Sequence, residues 1–265
     1  MMLRRKALVF IATLLVTASL LAVFTGCRDI NHAIVGSGNL ITQEMDFTDF
    51  TKLEIGHVFQ VKVTRSDFFF ISITVDDNLL EYVTVRKSGN TLRIYLKGGY
   101  TYIGTTKMVE ITMPKVEKLS LSGASRVEVS RFRSSDRLEL EASGVSSLNI
   151  DDLKAGDTVF GISGGSHVSG GIEIADGRFN VSGASSIDLE GYAADISIEA
   201  SGASHANLVN FSVSNATVTI SGASVVTVNA SGTIDGNISG ASRLTYLGDP
   251  ALTIEMSGDS TVDRR

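Results

Sequence analysis

Three features of the sequence predict an all-β chain wound as a single-stranded, right-handed parallel β-helix with repeats of roughly 20 residues. The first is composition. Among 265 residues there are 26 Gly, 2 Pro and no Trp, and 43% of residues are apolar. That apolar share is enough for a core, so intrinsic disorder is excluded. A chain rich in Ser, Val and Ile favours strands and tight corners over helices. The second feature is a repeat. Ser-Gly-x-Ser begins at Ser122, Ser143, Ser163, Ser182, Ser201, Ser221, Ser239 and Ser257, with spacings of 21, 20, 19, 19, 20, 18 and 18 residues. The third is alternation, as in Leu119-Ser120-Leu121 and Val127-Glu128-Val129 on either side of the first copy. Period-2 alternation means strands with one buried face, and one period per coil stacks equivalent residues about 4.8 Å apart. The hand is expected from the usual sense of parallel crossovers.

In chain order, residues 1–27 come first and resemble a bacterial lipoprotein signal peptide. Arg4-Arg5-Lys6 precede an uncharged apolar run from Ala7 to Phe24, then Thr25-Gly26-Cys27. In such a leader the cysteine receives lipid and becomes the mature N-terminus. Phe24 departs from the aliphatic residue usual there. The alternative is an uncleaved membrane anchor, since this run is just long enough to span a bilayer. Cys27 is the only cysteine and the single candidate lipidation site. Either reading places the rest of the chain outside the cytoplasm, held at the cell envelope. No disulfide can form within the chain, so stability must come from strand pairing and stacking.

Loss of the leader leaves 20 basic against 29 acidic residues, a net charge of -9. That excess disfavours nucleic acid and anionic membrane surfaces as partners.

Residues 28–35 read as a tether, and 36–118 as an N-terminal β region. Strand-like runs there include Leu53–Ile55, Phe59–Val63, Phe69–Val75, Leu92–Leu96 and Val109–Met113. Asp76-Asp77-Asn78, Ser88-Gly89-Asn90 and Gly98-Gly99 separate them as turns. The region forms either early coils of the solenoid or a separate cap. Residues 119–265 are the repeats. Continued alternation across the motif would point Gly123 and Ser125 inward with Leu121 and Val127, small residues where the coil is tight. Inward hydroxyls would then have to bond one another along the stack.

Four segments in order resemble the putative auto-transporter adhesin, head GIN domain family of bacterial envelope proteins. They are Gly36-Ser37-Gly38-Asn39; Phe50–Ile55 with Phe59–Val63; Asp76-Asp77-Asn78-Leu79-Leu80; and Leu119–Val127. The resemblance spans roughly residues 36–260. It implies a β-helical, secreted or lipid-anchored, adhesive or ligand-contacting protein, and it supplies no catalytic residues to carry over.

The residues themselves give no catalytic constellation. Gly161-Ile162-Ser163-Gly164-Gly165 matches the Gly-x-Ser-x-Gly of serine hydrolases. That chemistry needs a strand-to-helix elbow, a His and an acid, whereas Ser163 is one copy of a repeated serine. His167 and His205 occupy equivalent places two coils apart, so about 9–10 Å separates them, too far to share one zinc ion. His32 and His57 lie outside the repeats.

A sugar-cleaving β-helix enzyme would need clustered carboxylates. The position after each motif reads Arg126, Ser147, His167, Ser186, His205, Val225, Arg243 and Thr261. Two residues on stand Glu128, Asn149, Ser169, Asp188, Asn207, Thr227, Thr245 and Asp263, with acids scattered. The sequence therefore predicts a non-catalytic, envelope-anchored adhesin-like protein that uses no cofactor and no metal. Its expected partners are an extracellular protein or glycan and the membrane that holds its lipid. The alternatives are a structural envelope protein that self-associates or binds a lipid or other small ligand and, third, a carbohydrate-active β-helix enzyme.

Overall fold

The computed structural model describes residues 32–265. The leader and Cys27 lie outside the described residues.

Nine strands make the N-terminal region: β1 (Ala33–Val35), β2 (Leu40–Glu44), β3 (Lys52–Ile55), β4 (Gln60–Arg65), β5 (Phe70–Asp76), β6 (Val83–Ser88), β7 (Thr91–Leu96), β8 (Thr101–Ile103) and β9 (Lys107–Met113). The repeats add β10 (Lys118–Leu121), β11 (Arg126–Ser130), β12 (Leu138–Ala142), β13 (Ser147–Lys154), β14 (Thr158–Ile162), β15 (His167–Glu173) and β16 (Gly177–Val181). They continue through β17 (Ser186–Ala200), β18 (His205–Ile220), β19 (Val225–Ile238), β20 (Arg243–Leu247), β21 (Ala251–Met256) and β22 (Thr261–Arg264). The result is a parallel β-solenoid.

Two columns of stacked strands meet at the Ser-Gly corner. One runs β7–β3–β10–β12–β14–β16 and on through the C-terminal halves of β17, β18 and β19 to β21. The other runs β9–β4–β11–β13–β15, then the N-terminal parts of β17, β18 and β19, then β20 and β22. All these pairings are parallel. Inward aliphatics fill each coil, for instance Leu138, Leu140, Leu148, Ile150 and Leu153, all at most 2% exposed. Full burial of such a side chain contributes roughly 1.5–3 kcal/mol. Phe160 and Phe179 face each other in successive coils, centroids 4.7 Å apart and ring planes nearly parallel.

The first coil does not lie at the end of the stack. β3 is held between β7 and β10, and β4 between β9 and β11, so this coil is flanked by the two that follow it in sequence. Antiparallel strands complete that end: β5 pairs with β9, β2 with β5, and β6 with β7. The N-terminal region thus supplies both coils and a cap. β1, within the segment expected as a tether, pairs with β8.

The Gly-Ser-Gly-Asn and Asp-Asp-Asn segments interlock on this cap. Asp76, 1% exposed, accepts the Gly38 N–H at 2.8 Å and the Thr106 N–H at 2.6 Å. Ser37 donates to the Asp77 carboxylate at 2.6 Å, and Asn78 donates to the Val35 carbonyl at 2.8 Å. These amide donors, Thr106 first, hold the Asp76 carboxyl below its ordinary pKa.

Candidate functional site

The repeated corner is built by glycine. Gly123, Gly144, Gly164, Gly183, Gly202, Gly222, Gly240 and Gly258 all have φ between 70° and 79°. A Cβ on Gly144 would stand 2.3 Å from the Gly123 carbonyl oxygen beneath it. That same oxygen accepts the Val145 N–H at 2.7 Å, so the backbone ladder passes through the corner unbroken. Here the expected alternation fails. The left-handed residue turns the chain, leaving Ser122, Gly123 and Ala124 exposed while Ser125 alone points in.

Four of the eight second serines bond within their own corner, a partner the sequence did not suggest. Ser125, Ser146, Ser224 and Ser260 donate to the carbonyl of the first serine of their own motif, at 2.7–3.1 Å. Only Ser204 and Ser224 bond hydroxyl to hydroxyl, at 3.2 Å. The pair is a local clamp on the corner.

Outward from the second column stand the two variable rows, in the register read from the repeats, with Thr227 alone among their members buried. Arg126, Ser147, His167, Ser186, His205, Val225, Arg243 and Thr261 align coil by coil, with Gln60 before them. Glu128, Asn149, Ser169, Asp188, Asn207, Thr227, Thr245 and Asp263 run beside them, with Lys62 before. At about 4.8 Å per coil each row is roughly 38 Å long. Polar neighbours bond along it: His167 Nδ1 lies 2.7 Å from Ser186 Oγ, and Asn207 donates to Asp188 at 3.2 Å. His167 and His205 are separated by the Ser186 coil, and no three His, Cys, Asp or Glu among the described residues converge as a metal site. Ser163 sits in a corner between strands β14 and β15, without the helix a serine-hydrolase elbow requires.

The repeat pattern did not reveal an acidic groove where the second column bends. Gly170 and Gly191, with φ of 121° and 129°, and Asp152, with φ of 55°, turn the strands there. The groove, about 910 Å³ and open to solvent, is lined by Asp151, Asp152, Glu173 and Glu190 among others. The paired glycines Gly170-Gly171 were its signal in the sequence. Arg133 pairs with Asp152. Lys154 at 3.2 Å and the Tyr192 hydroxyl at 3.1 Å hold Glu173, whose pKa falls chiefly through the Lys154 bond.

The family described as putative auto-transporter adhesin, head GIN domain matches residues 49–250. The chain belongs to that family. Solved structures share the fold of this head GIN domain. A putative adhesin from Parabacteroides distasonis is 19% identical, with a TM-score of 0.81 over 88% of this chain and 100% of that one. A putative adhesin from Parabacteroides merdae is 18% identical, with a TM-score of 0.81 over 88% and 99%. A protein from P. distasonis described as a putative lipid binding protein is 21% identical, with a TM-score of 0.77 over 88% and 99%. No curated protein matches the chain. No helix among the described residues of this head GIN domain is long and apolar enough to cross a membrane.

Proposed function

We propose that this chain is a non-catalytic adhesin, anchored at the cell envelope by lipid on Cys27, whose solenoid face contacts an extracellular protein or glycan. The observation that carries the reading is the pair of outward rows. They form a continuous, chemically varied strip over about 38 Å that carries Ser, Thr, Asn, His and Arg with the acids Glu128, Asp188 and Asp263, while the repeated motif builds the corner. Surface location agrees with the family and with neighbours described as putative adhesins.

The test displays the full chain on cells and measures their attachment to host-cell and glycan surfaces. A triple variant with His167, His205 and Arg243 changed to Ala is expected to lose at least tenfold in attachment. Attachment that never exceeds undisplayed control cells sinks the proposal. The lipid is checked separately: Cys27→Ala should release the chain from the membrane fraction.

A further inference from the structure

The Ser-Gly corner column stops at the coil of Ser122, and the coil of β3 and β4 beneath it has a different corner. Ile55 pairs with Leu121 and Gln60 with Arg126, so Gly56-His57-Val58-Phe59 occupies the corner that Ser122-Gly123-Ala124-Ser125 forms above it. His57 takes the glycine's left-handed conformation, φ 66°, and Phe59 replaces the buried serine. Gly56 therefore stands where eight coils carry the first serine. Its φ lies outside the left-handed region, so the backbone there does not require glycine. On the coil's other side Ile94 pairs with Ile55, which puts Tyr95 in the same outward position one rung beyond. A Cβ on Gly56 would reach the Tyr95 Cβ at 3.4 Å and the Ser122 Oγ at 3.5 Å. The missing side chain opens a notch between them, part of a cavity of about 440 Å³.

The groups around the notch are complementary. Glu54 and Arg93 bond through two prongs, Nε to Oε2 at 2.7 Å and the terminal nitrogen to Oε1 at 3.3 Å. Both remain about half exposed, so each keeps hydrogen-bonding capacity toward solvent. Their charges cancel, which favours an uncharged ligand. His57 Nδ1 accepts the Leu96 N–H at 3.2 Å, so the neutral ring carries its hydrogen on Nε2 as a donor. Ser120 and Ser122 add hydroxyls to the lining, and half-buried Tyr95 adds an aromatic surface.

An aromatic surface beside a planar donor–acceptor pair and hydroxyls suits a ring with an apolar C–H face and a rim of hydroxyls. We propose that this notch binds a neutral pyranose, a hexose or N-acetylhexosamine unit of a glycan. The proposal deepens the adhesin reading and rests on it for its biological setting.

The test uses the full chain in a sugar-free detergent with methyl glucoside, methyl galactoside and methyl N-acetylglucosaminide, read by saturation-transfer NMR and titration. At least one should bind, with a dissociation constant on the order of millimolar. Tyr95→Ala and Gly56→Leu should each weaken it at least tenfold. Gly56→Ser, which installs the residue the other corners already carry, should weaken it less and leave the melting temperature unchanged. Asn237→Ala, remote from the notch, should bind as the parent does. Silence from all three glycosides, or binding indifferent to both Tyr95→Ala and Gly56→Leu, overturns the assignment. Those results leave the adhesin reading standing if displayed cells still attach through the outward rows. Conversely, sugar binding without attachment of cells keeps the notch and removes the adhesin reading.

Discussion

At the N-terminal end the aliphatic stack runs up to Leu79, fully buried on a 3-10 helix (Asp77–Tyr82), and antiparallel strands extend both columns past it. In the last described turn the same inward columns are open. Leu252 and Met256 pair with Ile234 and Ile238, which are 0% and 1% exposed, yet they are themselves 40% and 50% exposed. Residues in equivalent positions thus differ in burial according to whether another described coil stacks on them. A solenoid residue owes its stability to neighbours on both sides, and a repeat cannot close its own end.

The largest test of that contrast removes apolar bulk at each end. Leu79→Ala should cost about 2–5 kcal/mol, the usual penalty for a cavity under a fully buried leucine. Met256→Ala should stay within about 0.5 kcal/mol, as for surface changes. Urea denaturation followed by amide exchange in each end separates them. Equal losses would mean that the last turn is covered in solution and would break the comparison.

The ends also mark where the sequence stopped being legible. Each repeat declares itself because Gly144 and its equivalents need positive φ with a carbonyl directly beneath, and because Leu138, Leu140 and Leu148 must face in. Local physics of that kind leaves a period. Long-range pairing does not: nothing periodic links Leu53 to Leu92 on one side and to Leu119 on the other, so the position of the first coil inside the stack was invisible. Its corner was hidden too, since Gly56-His57-Val58-Phe59 keeps neither serine. The outward rows were read in the correct register, because strands on either side of a fixed corner cannot slip. The acidic groove was missed because its bend rests on Asp152, Gly170 and Gly191 in three successive coils, with no common residue or spacing.

A second test concerns acid. The amides of Thr106 and Gly38 lower the folded-state pKa of Asp76. Its stabilising contribution is therefore complete above the ordinary carboxylate value and is lost as pH falls through the lowered folded value. Acidification should open the cap clasp, seen as loss of the Gly38 and Thr106 amide signals, before the inner coils respond. Asp76→Asn keeps the shape but removes the charge. It should weaken the cap at pH 7 and flatten this pH dependence; an unchanged acid profile would show that Asp76 does not control the cap.

The smallest effect separates a buried corner from an open one. Ser224, 0% exposed, donates to the Ser221 carbonyl at 2.9 Å, and no backbone N–H among the described residues reaches that oxygen. Ser260 makes the same bond to Ser257 at 2.7 Å in the last turn, with water at hand. Truncating Ser224 to Ala leaves the part-buried Ser221 carbonyl and the buried Ser204 hydroxyl without this partner, which costs about 1–3 kcal/mol. Ser260→Ala lets solvent replace the hydroxyl, and the change should fall within about 0.5 kcal/mol. The ratio of the two losses, measured by denaturation of each single variant, reports burial together with the hydroxyl bond that Ser224 accepts from Ser204. If both serines cost the same, the clamp works through local turn geometry, and the distinction between inner coils and the open end does not extend to their corners.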